Sequence, residues 1–307
     1  MQLADRSAQI KEKARSLGFF LCGIARAEFM QEEALNLEKW LTQHYHGEMS
    51  YMANHFDKRL DPTLLVPGAK SVITLGYNYF HETTQTDPNA PKIAMYAYGK
   101  DYHKVVRKKL NQLFGWIKET FGDVDGRVFV DSAPILERDW AKRSGLGWVG
   151  KNTMLIHPKK GSYFFLAEII LDLDFQYDHH ISDYCGTCTR CIDACPTEAI
   201  NPKGYFMDGS KCISYLTIEL KNQIPPDYQH KMDNWMFGCD ICQQVCPWNR
   251  FATPHDEPDF IPSETLIAMT KNEWIELTEP AYNNLFEGSA VKRAKFAGLK
   301  RNIEYLK

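Results

Sequence analysis

The chain has 307 residues, 44% of them apolar and 24% charged, with a formal net charge of -3 and a mean hydropathy of -0.41. That length fits one large domain or two of ordinary size, and the near-balanced charge excludes a partner held by global electrostatics, so any contact with nucleic acid or membrane must come from a local patch. No apolar run approaches the roughly 20 residues of a membrane span, and the N-terminal Met1-Gln-Leu-Ala-Asp-Arg-Ser7 has neither a basic-then-apolar export pattern nor a twin arginine.

Residues 4 to 17 carry a helical pattern, with Ile10, Ala14 and Leu17 on one face and Gly18 as the stop. Residues 19 to 24 read as a buried strand in which Cys22 is a small core thiol. A second amphipathic helix spans 31 to 44, and 47 to 62 read as loop or short helix. Residues 71 to 79 form the clearest strand of this half, β-branched and aromatic throughout. After a polar loop over 81 to 91, Asp101-Tyr102-His103 opens a helix to about residue 120. Residues 126 to 131 make a short strand ending on Asp131, and a helix runs through 143 to the glycine cluster 145 to 150. Residues 153 to 156 and 163 to 171 read as strands. Strands alternating with helices over 1 to 175 predict a layered α/β or α+β domain; 176 to 260 read as short helices and loops, and 261 to 307 as helical.

Eight of the nine cysteines fall between Tyr184 and Trp248. The first run is Cys185-Gly-Thr-Cys188-Thr-Arg-Cys191-Ile-Asp-Ala-Cys195-Pro196, the C-x2-C-x2-C-x3-C-P pattern of bacterial ferredoxins, in which the fourth cysteine serves the other cluster. The second run, Cys239-Asp-Ile-Cys242-Gln-Gln-Val-Cys246-Pro247, lacks its first cysteine, which Cys212 can supply across a long insertion. The spacing therefore assigns Cys185, Cys188, Cys191 and Cys246 to one [4Fe–4S] cluster, and Cys195, Cys212, Cys239 and Cys242 to the other. Structural zinc has no use for cysteines at x2 and x3 spacing beyond two knuckles, and a disulfide framework needs an oxidising compartment. Cluster cysteines without an export signal point to the cytoplasm.

Four stretches outside the clusters carry candidate chemistry. Gly145-Leu-Gly147-Trp-Val-Gly150-Lys151-Asn152 matches G-x-G-x-x-G but follows a helix, which argues against a dinucleotide site, and Asn152 stands where a P-loop needs Ser or Thr. It is either a turn lying close to a ligand or a helix stop. Asp131, at a strand end, is either a proton donor with a pKa raised by burial or a helix cap. Asp101 reads as an N-cap, and at most two of residues 101 to 103 can face one pocket, because consecutive residues do not share a helix face. The segment from Ser289 to Lys307 carries Lys292, Arg293, Lys295, Lys300, Arg301 and Lys307 against one acid, Glu304; it is a solvated helix or a phosphate-contacting edge.

Gly47-Glu-Met-Ser-Tyr-Met52, Arg59-Leu-Asp-Pro62, Tyr96-Ala-Tyr-Gly-Lys-Asp-Tyr-His103, Val130-Asp131-Ser-Ala-Pro134, the glycine turn, both cysteine runs and Gly288-Ser-Ala-Val-Lys-Arg293 occur together and in order. As an ordered set they resemble the epoxyqueuosine reductase family over essentially the whole chain. The resemblance implies an α+β cobalamin-binding domain related to reductive dehalogenases (1 to 175), a ferredoxin-like double [4Fe–4S] module (176 to 260) and C-terminal helices (261 to 307), followed in many members by a helical-repeat domain that helps hold tRNA. It implies reductive opening of the epoxide of epoxyqueuosine at the tRNA wobble position, giving queuosine. Asp131, Tyr102 and His103 are then the catalytic group, and Asp101, Asp131, Gly145, Gly147, Gly150, Lys151 and Asn152 border the cofactor. No Asp-x-His-x-x-Gly run offers a lower axial histidine, so the implied cobalamin is base-off. Electrons come from an external flavodoxin- or ferredoxin-type donor, and the protein is a monomer with no membrane partner. The competing readings are a reductive dehalogenase and a ferredoxin-type electron-transfer protein.

Overall fold

The computed structural model describes residues 2–307. Its N-terminal part is built on four strands: β1 (Leu21–Arg26), β2 (Ser71–Asn78), β3 (Gly126–Phe129) and β4 (Phe164–Leu171). They lie in the order β1-β2-β4-β3, and every neighbouring pair is antiparallel. The alternation of strands and helices is therefore that of an α+β domain.

Strands β2 and β4 are apolar without alternation because both faces of the sheet are covered. On one face Ile73, Leu75, Ala167 and Ile169 meet Ile10 and Ala14 of α1 (Leu3–Ser16) and Val106, Leu110, Leu113 and Ile117 of α3 (Tyr102–Phe121). On the other, Val72, Phe129 and Ile170 meet Met30 beside α2 (Gln31–Thr42), Leu60, and Trp140 of α4 (Glu137–Arg143). Each large side chain removed from water here contributes about 1.5–3 kcal/mol. Cys22 is enclosed in the sheet, and burial pushes its thiol up to about 12, as expected for an inert core cysteine.

The second half of the chain packs around a separate core. Residues Lys92–Ile93 leave the N-terminal part to pair in parallel with Trp235–Phe237. Ile93 and Ala97 then pack with Trp274, Tyr282, Phe286, Leu299 and Ile303 from the C-terminal helices. Those helices start on Ser263, Thr270 and Thr278, whose hydroxyls accept backbone N–H groups of the first turn. The strand expected over 153 to 156 is shorter, Leu155–Ile156, paired with Trp148–Val149. Among the described residues no helix is long and apolar enough to cross a membrane.

Candidate active site and cluster cradles

Asp101 fixes the first turn of α3. One oxygen, Oδ1, accepts the backbone N–H of His103 at 3.0 Å and pairs with Nδ1 of the same residue at 2.7 Å. That turns the other ring nitrogen, Nε2, to Asp131 Oδ2 at 3.0 Å. The Tyr102 hydroxyl donates to the same oxygen of Asp131; its ring is stacked between Phe165 at 4.1 Å and His103 at 4.2 Å. Two of the three consecutive residues thus meet at one carboxylate, and the third supports them from behind.

Asp131 lies two residues past β3, in the left-handed region at φ 56°. A non-glycine residue there carries about 1–2 kcal/mol of strain, though aspartate tolerates it better than most. Successive tight turns follow, Ser132 N–H to Val130 O and Ala133 N–H to Asp131 O, both 2.7 Å. The Asp131 N–H donates to Glu137 Oε1 at 2.7 Å. Asp131 is no helix cap: α4 begins without a side-chain cap, and the bond runs from Asp131 back to the helix's own first glutamate.

Charges in this group are tied together. Burial opposes ionisation of Asp131, but hydrogen bonds from His103 and Tyr102 and the His103 charge outweigh it, holding the carboxyl below its usual range. Burial likewise works against the charge on His103, yet its bonds to Asp101 and Asp131 raise it to about 9 from an ordinary 6.5. Burial and the charge of Asp131 push the Tyr102 hydroxyl far up, so it stays a donor. The expectation of an Asp131 pKa raised by burial is reversed by these partners: the protons sit on His103 and Tyr102, and Asp131 receives their hydrogen bonds.

The Asp131 side chain is 55% exposed, and two residues without a sequence-assigned catalytic role are near enough to feel its charge: Tyr51 and Arg293. Arg293 is held by both oxygens of Glu219, at 3.1 and 3.0 Å, with its guanidinium 6.0 Å from the Tyr51 ring. Arg59 in turn holds the Tyr51 carbonyl at 2.8 Å. Residues from the separate motifs of the sequence therefore come together around Asp131. Arg301, by contrast, donates to the carbonyls of Leu216, Leu220 and Asn222, and Lys300 to those of Ile275 and Leu277, so half-buried cations of the tail are spent on packing.

The eight cysteines of the two runs lie in neighbouring loops and short helices. Cys185, Cys188, Cys191 and Cys246 line one pocket with Lys151, Asn152 and Trp248. Cys195, Cys212, Cys239 and Cys242 form the other group, each near enough to raise another's pKa. Burial leads the causes that push Cys191 up to about 11; iron reverses that, since a coordinated thiol is deprotonated. Among the described residues no three His, Cys, Asp or Glu converge as ligands of a single ion, and thiolates gripping the corners of a cube stand further apart than such ligands.

The glycine turn belongs to these cradles and not to an open ligand surface. Gly145, at φ 72°, is the left-handed stop of α4; its N–H reaches Lys142 O and that of Leu146 reaches Ala141 O, the paired bonds of a Schellman motif. A Cβ on Gly147 or Gly145 would strike the carbonyls of Ile156 or His179, and one on Gly150 the Ile156 side chain. Lys151 Nζ holds the carbonyls of Gly186 and Cys188 at 2.7 and 2.9 Å, and Asn152 Nδ2 that of Cys242 at 3.3 Å. Trp148 Nε1–H points to Cys185 Sγ at 3.4 Å. The cleft and the second cysteine group are linked by aromatic rings, Tyr102 to Tyr96 at 6.1 Å and Tyr96 to Phe237 at 6.2 Å, two residues before Cys239.

Comparison with known proteins agrees with this geometry. The family model described as "Epoxyqueuosine reductase QueG, DUF1730" matches residues 59–132, and the "4Fe-4S double cluster binding domain" model matches 184–249. An epoxyqueuosine reductase from Cellulophaga algicola is 58% identical over 97% of this chain and 97% of its own. The chain belongs to the epoxyqueuosine reductase family. A crystal structure of an epoxyqueuosine reductase with an epoxyqueuosine-modified tRNA stem loop superposes with a TM-score of 0.86 at 29% identity, over 98% of this chain and 80% of that one. A reductive dehalogenase, described in connection with B12-dependent dehalogenation, shares the fold at a TM-score of 0.51 and 17% identity, over 99% of this chain and 38% of that one. As a member of this reductase family, carrying a double-cluster module, the chain is an oxidoreductase.

Proposed function

We propose that this chain reduces epoxyqueuosine to queuosine in the tRNA anticodon, with two [4Fe–4S] clusters and a base-off cobalamin, in the cytoplasm and as a monomer. The observation that carries the reading is the Tyr102–His103–Asp131 group, set beside a double-cluster module in a chain 58% identical to an epoxyqueuosine reductase. The division into 1 to 175 for the corrinoid, 176 to 260 for the clusters and 261 to 307 for the closing helices follows the same reading.

Opening the epoxide to an alkene breaks both C–O bonds, takes two electrons and two protons, and releases water. A corrinoid, when bound, supplies a cobalt centre able to deliver both electrons to the substrate. Tyr51, Tyr102, His103, Asp131 and Arg293 border the cleft that would hold it. The site fits a base-off form in one respect: both nitrogens of His103 are engaged, by Asp101 and by Asp131, so this imidazole is not free to ligate cobalt. A flavodoxin- or ferredoxin-type donor feeds the clusters one electron at a time, and the ring contacts from Phe237 through Tyr96 to Tyr102 support the second cluster as the one nearer Asp131.

The chain's own residues handle the protons. At neutral pH His103 is an imidazolium held between two carboxylates, and Tyr102 is a phenol. Asp131 passes a proton from these donors to the departing oxygen and is recharged by them. Arg293 and Tyr51, near enough to feel the Asp131 charge, support contact with a phosphate or ribose of the anticodon loop.

The pH profile tests the proton assignment. Since His103 loses its proton as pH rises through about 9, kcat should fall above that value, and His103→Gln should remove the fall. The raised pKa also stabilises the folded state: that contribution is whole below 6.5, the ordinary value, and is lost as pH climbs to about 9. A corrinoid band that co-elutes with the protein on gel filtration, alongside iron and sulfide for two clusters, supports the cofactor assignment. A purified, reconstituted protein with clusters and no corrinoid would instead be an electron-transfer module.

A further inference from the structure

Beneath Asp131 lies a second acidic group that the proton relay does not use. Glu168 is the one acid of β4, in the run Phe-Phe-Leu-Ala-Glu-Ile-Ile-Leu. It sits between Thr74 of β2 and Phe129 of β3 in register, on the face covered by α4, and is 0% exposed. Among the described residues neither of its carboxyl oxygens has a hydrogen-bond donor. What they meet is the carboxyl of Glu137, the same group that accepts the Asp131 N–H at 2.7 Å.

We propose that Glu137 and Glu168 share one proton and act as a positioning clamp on Asp131, with Glu137 holding the Asp131 backbone N–H and Glu168 holding Glu137. The inference rests on the reading of Asp131 as the catalytic carboxylate. Glu168 is fully buried and meets the Glu137 carboxyl, so the two cannot both ionise and one keeps a proton, which then bridges them. Burial leads the causes that raise Glu137 to about 7, followed by the charge of Asp131; burial and then the charge of Glu137 also raise Glu168 well above the ordinary carboxyl value. The charged groups facing the pair are Asp131 from the loop after β3 and Arg138 from α4, with Tyr102 and His103 of α3 acting through Asp131. From β2 the facing residue is Thr74, a neutral hydroxyl already paired with Ser144 at 3.2 Å. Without the bridging proton, two negative charges would stand beneath a third at Asp131. Without Glu137, nothing would hold the N–H of a residue whose left-handed backbone is already strained.

The test uses the holoenzyme and three variants. Glu137→Leu removes the acceptor and should lower kcat by about 10²-fold, the effect of displacing a reacting group by about an ångström, with KM for tRNA and cluster iron unchanged. Glu137→Gln keeps an oxygen for the Asp131 N–H and an amide donor for Glu168, and should restore turnover to near the wild-type rate. Independently of turnover, infrared spectra above the Glu137 value of about 7 should show the C=O stretch of a protonated carboxyl, shifted in D2O and absent from Glu168→Gln. A wild type without that band overturns the shared proton, even should the leucine variant fail to fold. If Glu137→Leu turns over normally while Asp131→Ala is inactive, the clamp fails and the catalytic reading stands; an active Asp131→Ala removes both.

Discussion

Asp131→Ala is expected to lower turnover by about 10²–10⁴-fold, the range of a positioned acid–base group, while leaving both clusters in place. The alanine removes the acceptor shared by Tyr102 and His103, so neither donor has a route to the departing oxygen. It also places a less tolerant residue at φ 56°, so Asp131→Asn is the cleaner comparison: asparagine tolerates that backbone and keeps the shape but not the charge. With a neutral neighbour His103 loses one of the partners that raise it, and the alkaline fall in kcat should move to lower pH. Iron, sulfide and corrinoid content are the controls. Loss of the corrinoid with full cluster content would make Asp131 a cofactor-holding residue.

Cys242→Ala should have the other large effect, by cutting the electron supply. Cys242 is close to Cys212, Cys239, Cys191 and Cys195, and Asn152 braces its carbonyl. Three thiolates hold a cubane cluster poorly, so iron and sulfide per chain should fall by about half and turnover should drop below detection. The first group, lining its own cavity, should keep its cluster and its visible absorbance. Cys22→Ser is the matched control, since Cys22 is enclosed in the sheet far from both cradles in sequence and function. A Cys242 variant with full iron content and full rate would remove this residue from the ligand set.

What could be read from the sequence depended on how local each constraint is. Cluster ligands must sit at fixed short spacings, so the two Cys-Pro runs pointed to the cofactor, and the double-cluster family model covers the same residues. Helices α1, α2 and α3 were legible within a few residues because an apolar stripe and a stop residue are properties of one segment. The cleft is different: Tyr51, Tyr102, Asp131 and Arg293 come from four separate stretches, and only the ordered co-occurrence of weak motifs hinted that they meet. The glycine turn was ambiguous because a glycine that clears a ligand and one that clears a carbonyl look alike in sequence; here Ile156 and His179 fill the space. Glu168 went unnoticed, yet a lone acid within an otherwise apolar strand is a signal, since burying it demands a partner or a proton.

The sign of the Asp131 shift could not be read from sequence, because it is a balance of opposing effects. Burial alone would have made it a stored acid. Two donors meeting at one oxygen, each fixed by its own neighbour (Asp101 for His103, Phe165 for Tyr102), turn it into a relay.

Mass spectrometry of tRNA nucleosides after anaerobic incubation with the protein, a low-potential reductant and cobalamin tests the central claim most directly. The expected result is loss of epoxyqueuosine with matching appearance of queuosine, one oxygen lighter, dependent on Asp131. Persistence of epoxyqueuosine under conditions where the same preparation reduces a halophenol would contradict it.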